Sequence, residues 1–327
     1  MRSLRTKLGI VLFAGAATLT SLACGSRSGL LAEGPWEEEP EPEPEPVRRL
    51  DAAVADARDR RPGIDAGPDV IVDQRDCKDP SETLIYLVSN NYDLYSFNPR
   101  DFTSRLIGPI LCPATSGPFG GSTPFSMAVD REGIAYIVYD NGELFRVSTA
   151  TTACVATDFR ANQQGVSTFG MGFASNQGGP AETLFIASDT ATTSRLGRIE
   201  IPSFDLDLVA RFPDDVARAE LTGTGDGRLF AFYAKNDVLG NQVAGSFIGQ
   251  IDKRTGDVVA ESYLPSVDQG NAWAFAFWGG DFYTFTSLRG GAATVTRFRP
   301  SDGSVEEVAT LPTPIVGAGV STCSPVQ

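Results

Sequence analysis

From residue 77 onward, apolar and polar positions alternate in short runs broken by Gly, Asp, Asn and Pro, and no stretch sustains a helical period. Such punctuation predicts many short strands. Within it an aromatic recurs roughly every 50 residues: Tyr86, Tyr136, Phe185, Phe230 and Tyr283, each inside a short apolar run. Downstream of each lies a second run of apolar, any, small or polar, apolar, polar residues, at 94–98, 144–148, 196–200, 248–252 and 295–299. Turn-rich residues then lead into another alternating run, the signature of a closing hairpin. A run of small and apolar residues precedes the aromatic strand at 127–129, 171–173, 221–223 and 274–277. Each unit therefore reads as four strands.

A four-stranded unit at this period resembles a β-propeller blade, and the turns after the second pattern look like those of extracellular propeller repeats. The resemblance spans 77–327 and implies a fold without specifying an activity. The first unit lacks its inner strand, while an unassigned strand remains at 316–322. Joining the two completes a fifth blade and removes an open sheet edge. The expected fold class is thus all-β, a propeller of five four-stranded blades closed by that last strand. A pair of β-sandwiches is the alternative, and it leaves unexplained why the missing strand is the one left over.

The N-terminal pattern differs. Arg2, Arg5 and Lys7 precede an uncharged, largely apolar run at 8–23, too short for a comfortable transmembrane span and arranged like a secretory signal. Ser21, Leu22, Ala23, Cys24 and Gly25 follow, which resembles the bacterial lipobox, although the family prefers Leu where Ser21 stands. The resemblance implies cleavage after residue 23 and lipid attachment at Cys24, hence anchoring to a membrane. Gly25 is not the Asp that resembles an inner-membrane retention signal, so an extracytoplasmic, outer-membrane location is expected. A secreted protein beginning with an unmodified Cys24 is the alternative.

Residues 24–76 read as a disordered acidic tether. From 37 to 46 Glu and Pro alternate, a composition that buries no apolar area and stays extended. Fully extended, 25–76 would reach on the order of 100 Å. Residues 33–76 carry fourteen acids against six arginines within a net charge of −14 for the whole chain. So acidic a surface, with no basic stripe, excludes nucleic acid as a partner. An envelope protein or a glycan is the expected partner besides the membrane.

Cys77, Cys112, Cys154 and Cys323 form an even set in an exported chain, so disulfides are expected. Ring closure favours Cys77 with Cys323, which leaves Cys112 with Cys154, although strand assignment sets those two at opposite blade ends. No metal site and no cofactor is expected, since CxxC spacing is absent and the chain has no histidine. The missing histidine also excludes a conventional hydrolase triad.

A glycoside hydrolase needs only two carboxylates. The inner strands carry acids only at their ends, as Asp130, Glu220 and Asp226, where turn caps are the expectation. Trp273, Phe275 and Phe277 share a strand face and are expected to pack between blades, leaving Trp278, near Asn271, as the exposed aromatic. The connections between second and third strands, with the link at 113–123, gather on one face, where recognition usually resides. Candidate ligand contacts are therefore Trp278, Asn271, Lys235, Asn236 and Arg289, with no catalytic residue assigned.

Overall fold

The computed structural model describes residues 77–327 apart from 78, 116–120, 190–193 and 238; the signal sequence, Cys24 and the tether lie outside the described residues. In the first antiparallel sheet stand β1 (Ile85–Ser89), β2 (Asp93–Asn98) and β3 (Thr103–Pro109). The second holds β4 (Pro124–Val129), β5 (Ile134–Tyr139), β6 (Leu144–Ser148) and β7 (Cys154–Ala156). The third holds β8 (Phe169–Ser175), β9 (Glu182–Ser188), β10 (Arg195–Glu200) and β11 (Asp205–Arg211). Next come β12 (Val216–Gly223), β13 (Leu229–Lys235), β14 (Ser246–Ile251) and β15 (Val258–Leu264), then β16 (Ala272–Trp278), β17 (Asp281–Ser287), β18 (Ala293–Arg299) and β19 (Ser304–Leu311). The last strand, β20 (Ile315–Gly319), pairs with β1, setting Tyr86 opposite Gly319 and Leu87 opposite Ala318. The protein is a five-bladed β-propeller closed by its last strand.

Five apolar clusters occupy the five junctions between neighbouring blades, including the junction of the fifth with the first. Each blade therefore buries both faces. That is why the second strands read as nearly unbroken apolar runs, such as Leu229–Lys235, while outer strands carry charge, such as Glu306 and Glu307 in β19. The fourth and fifth blades meet through rings: Phe230 and Phe277 stack at 6.1 Å, and Phe232 and Phe275 at 5.7 Å. Aromatic pairs of this kind contribute about 0.5–1.5 kcal/mol beyond their buried area.

The inner strands β4, β8, β12, β16 and β20 are rich in small residues because their backbones touch. A Cβ on Gly170 would fall 2.1 Å from the carbonyl oxygen of Ala219, and one on Gly319 would fall 2.7 Å from the nitrogen of Val129. Phe277 N–H also donates to Thr222 Oγ1 at 3.1 Å, joining β16 to β12. No side chain larger than hydrogen fits at such contacts, so the five strands close upon one another.

Both disulfides are formed. Cys77–Cys323 ties the start of the propeller to the residues after β20 and Cys112–Cys154 ties the link after β3 to β7, with Cα separations of 5.5 and 5.1 Å. The expected separation of Cys112 and Cys154 at opposite blade ends does not hold. The chain leaving β3 runs along the flank of the second blade, where a Cβ on Gly108 would lie 3.5 Å from Thr152. Disulfides fit an oxidising, extracytoplasmic compartment. No helix among the described residues is long and apolar enough to cross a membrane.

Candidate functional site

All five inner strands run in the same direction along the channel, so their starts share one end and their finishes the other. The finishing end is sealed. Residues 320–327 cross it: Ser321 Oγ donates to the carbonyl of Arg131, Thr322 Oγ1 donates to Glu182 Oε2 at 2.8 Å, and Gly279 N–H donates to the carbonyl of Pro325. Val326 packs against the cluster containing Phe230, Phe277 and Phe282. The segment thereby reaches the second, third, fourth and fifth blades while Cys323 is stapled to Cys77.

Glu182 also accepts from Arg131 N–H at 2.7 Å. Burial pushes its carboxyl up to about 7 against those two hydrogen bonds. Asp130 caps the neighbouring turn through Ile134 N–H, as expected of it, and burial raises it to about 6. Asp226 likewise belongs to a turn, bonded to Thr224 and paired with Arg228 at 2.8 Å. A cavity of about 470 Å³ opens at this sealed end beside Arg228 and Arg299. Both guanidiniums are already matched, Arg228 by Asp226 and Arg299 by Asp302 at 3.3 Å, so its cations are committed to internal partners.

The starting end is open. A cavity of about 280 Å³ lies over the channel mouth, reaching the starts of four inner strands and the turns beside them. Its floor is built by a β-bulge in β12. Ala217 pairs with Ala234 and Glu220 with Phe232, so Arg218 and Ala219 together oppose Tyr233. Arg218 takes a positive φ of 41°, costly for a residue with a Cβ. Buried Gln269 holds the bulge by donating to the carbonyls of Arg218 at 3.1 Å and Phe232 at 3.4 Å.

The bulge turns Glu220 into the channel, where Gly170 leaves room for its backbone. Its carboxyl accepts from Ser126 Oγ at 2.8 Å, linking the fourth blade to the second. Full burial pushes Glu220 well above the usual carboxylate range, against the hydrogen bonds from Ser126 and the Met171 backbone. The expected turn cap is therefore corrected: Glu220 is a buried channel acid. Asp189, in the loop after β9, faces Arg218 Nε at 3.5 Å; burial raises its carboxyl and the guanidinium opposes that rise. Asp140 receives the N–H and hydroxyl of Thr123 at 3.1 and 3.0 Å.

Of the residues the sequence suggested, Asn271 lines this mouth, exposed, with its N–H donating to Ser287. Lys235, Asn236 and Arg289 lie on the same face but outside the cavity. Lys235 is held 3.0 Å from both Asp215 and Glu261 and lies 4.7 Å over the Phe247 ring. Asn236 bridges Gln242, and Arg289 is exposed in the turn after β17. Trp278 sits at the sealed end, where its indole N–H donates to both the carbonyl and the hydroxyl of Thr83 at 3.0 Å. The aromatic in the mouth is instead Trp273, half-buried, which packs against the same inter-blade cluster as Phe275 and Phe277, as expected of all three, and also lines the cavity. Asp189, Asp140 and Arg218 were not singled out by sequence, because each is a loop or bulge polar residue of ordinary appearance.

Compared with protein-family models and with curated sequences, the chain matches none. Among solved structures it is similar to TolB from Acinetobacter baumannii, at 12% identity and a TM-score of 0.42 over 74% of this chain and 67% of that one. It is also similar to a putative TolB from Agrobacterium tumefaciens, at 15% identity and a TM-score of 0.37 over 69% of each chain. Its likeness to the tricorn protease, 11% identical with a TM-score of 0.33, spans 69% of this chain and 25% of that one. The fold assignment rests on the strand order and the five junctions, not on these likenesses.

Proposed function

We propose that the chain is a cell-envelope lipoprotein, anchored through Cys24, that displays its propeller as a binding or assembly module for a protein or glycan. The five-bladed fold is compatible with such a module. One observation carries the reading: Cys77, where the tether meets the propeller, is stapled to the sealed end of the channel, so the open mouth lies on the opposite face. A domain attached by its closed end presents its cavity away from the attachment.

A photo-crosslinking residue at Asn271, on the mouth face, is expected to capture an envelope component in cells. One at Ser203, exposed in the turn after β10 at the other end, is expected to capture little. Equal yields from the two positions would overturn the reading. The anchor is tested separately, since a Cys24→Ala chain should leave the membrane fraction and one that still pellets would refute lipidation.

A second reading, a carboxylate-dependent glycoside hydrolase, draws support from Glu220 and Asp189 lining one cavity with different surroundings. An acid whose neutral form burial favours, beside a second carboxylate, is the arrangement that glycosidases use. Release of reducing ends from a polysaccharide, abolished in Glu220→Gln, would favour it over binding alone.

A further inference from the structure

We propose that the mouth cavity is a subsite for the end of a neutral oligosaccharide, an inference that rests on the mouth being the recognition face. The channel is otherwise lined by Gly, Ala, Val, Leu, Met, Phe and Thr, yet the fold holds a carboxyl, Glu220, across it by a hydrogen bond from another blade. It also holds Arg218 at a positive φ, with Gln269 dedicated to the bulge. Bulges that re-aim side chains, and strained backbone that its surroundings over-determine, gather at binding sites.

The chemistry of the cavity selects the ligand. The Asn90 and Asn271 side-chain amides have no hydrogen-bond partner among the described residues, so each offers a donor and an acceptor to a bound group. Arg218 meets Asp189 through Nε while its side chain stays 53% exposed, leaving its terminal N–H groups to donate. Hydroxyl groups both donate and accept, and they match such a mixed set. Trp273 supplies an apolar ring of the kind on which the C–H face of a sugar packs.

Charge and size narrow the class. Three carboxyls and one guanidinium line the mouth, which disfavours anionic sugars. A volume of about 280 Å³ falls just below the ~300–1,000 Å³ of drug-sized pockets and suits a single ring at a chain end. An amine ligand would have to meet Asp189 across the guanidinium already beside it.

The test uses the full chain carrying Cys24→Ser, titrated with neutral gluco-, galacto-, manno- and xylo-oligosaccharides, an anionic oligogalacturonate and tri-lysine. Binding is read by Trp fluorescence and by saturation-transfer NMR. At least one neutral sugar is expected to bind, with affinity reduced at least about tenfold by Trp273→Ala and by Arg218→Ala. Trp273→Phe should restore part of the loss, and Ser203→Ala should change nothing. Melting curves identify any variant that fails to fold, and competition by the sugars against capture through the photo-crosslinking residue at position 271 then replaces it.

Absence of neutral-sugar binding at ~10 mM, binding that ignores both variants, or binding of only the oligogalacturonate or tri-lysine would overturn the proposal. If no sugar binds while Asn271 still crosslinks a partner in cells, the sugar assignment falls and the mouth remains the recognition face. If Asn271 crosslinks nothing either, both fall.

Discussion

The two ends of the channel are made by the same five strands and differ in what their polar groups face. At the sealed end the Arg131 carbonyl, Glu182 and Gly279 take up Ser321, Thr322 and the Pro325 carbonyl by hydrogen bonds, so the polar chemistry holds a segment of the chain itself. At the mouth Glu220, Arg218 and Gln269 shape a floor, and Asn90 and Asn271 line the cavity with side-chain amides that have no partner among the described residues. A propeller closed at both ends by its own chain would be only a scaffold. Leaving one end open while stapling the other to Cys77 separates closure of the ring from the cavity.

That contrast can be broken first at the strands both ends share. Gly170→Val places side-chain atoms against the Ala219 carbonyl, which lies 2.1 Å from even a Cβ. It is expected to cost about 3 kcal/mol or more through overpacking, read as an earlier urea transition or as loss of soluble protein. Next, Cys77→Ser with Cys323→Ser should cost about 2–4 kcal/mol. The bond spans 246 residues against 42 for Cys112–Cys154, so opening the latter should cost about 1.5 kcal/mol less on chain-entropy grounds. Equal losses in urea titrations would show that the longer closed loop gives the ring staple no advantage over Cys112–Cys154.

The sealed end also predicts a pH dependence. Glu182 holds its proton to about pH 7 when folded, whereas an unfolded glutamate releases it near 4.5. Stability from this group is therefore complete at low pH and declines as pH rises through 4.5 toward 7, by roughly 3 kcal/mol. Melting temperature should fall between pH 5 and pH 8, and Glu182→Gln should reduce the fall, leaving the parts due to other carboxyls that burial raises, among them Asp130, Asp189 and Glu220. The smallest effect belongs to the mouth: Glu220→Gln replaces a carboxyl whose neutral form burial favours with a neutral isostere, and should change stability at pH 5 by less than about 1 kcal/mol. Glu220→Ala should cost more, because Ser126 then loses its acceptor and a void opens. If the Gln variant costs as much as the Ala variant, Glu220 is ionised in the channel.

Much of the fold was legible because burial on both faces leaves a mark that needs no partner. Tyr86, Tyr136, Phe185, Phe230 and Tyr283 stand in second strands that read as apolar runs whatever lies beside them. Trp278 and Asn271 show the opposite case. They are close in sequence, yet a seven-residue strand of about 3.3 Å per residue carries its ends some 20 Å apart, and the two fall on opposite faces of the ring. Glu220 was visible as an acid among apolar neighbours, but a turn cap explained it equally well until the bulge at Arg218 turned it inward.

The sequence by itself determined the number of blades, the strand that closes them and the pairing of Cys77 with Cys323, since period, alternation and a leftover strand are properties of one chain read along its length. Only the tertiary structure decided which end of the channel is open and what meets there. Ser126 and Glu220 are 94 residues apart and lie in different blades, and Asp189 reaches Arg218 from a loop of the blade between them. Such contacts follow from the close approach of five inner strands across an axis, a distance that no local pattern of residues encodes.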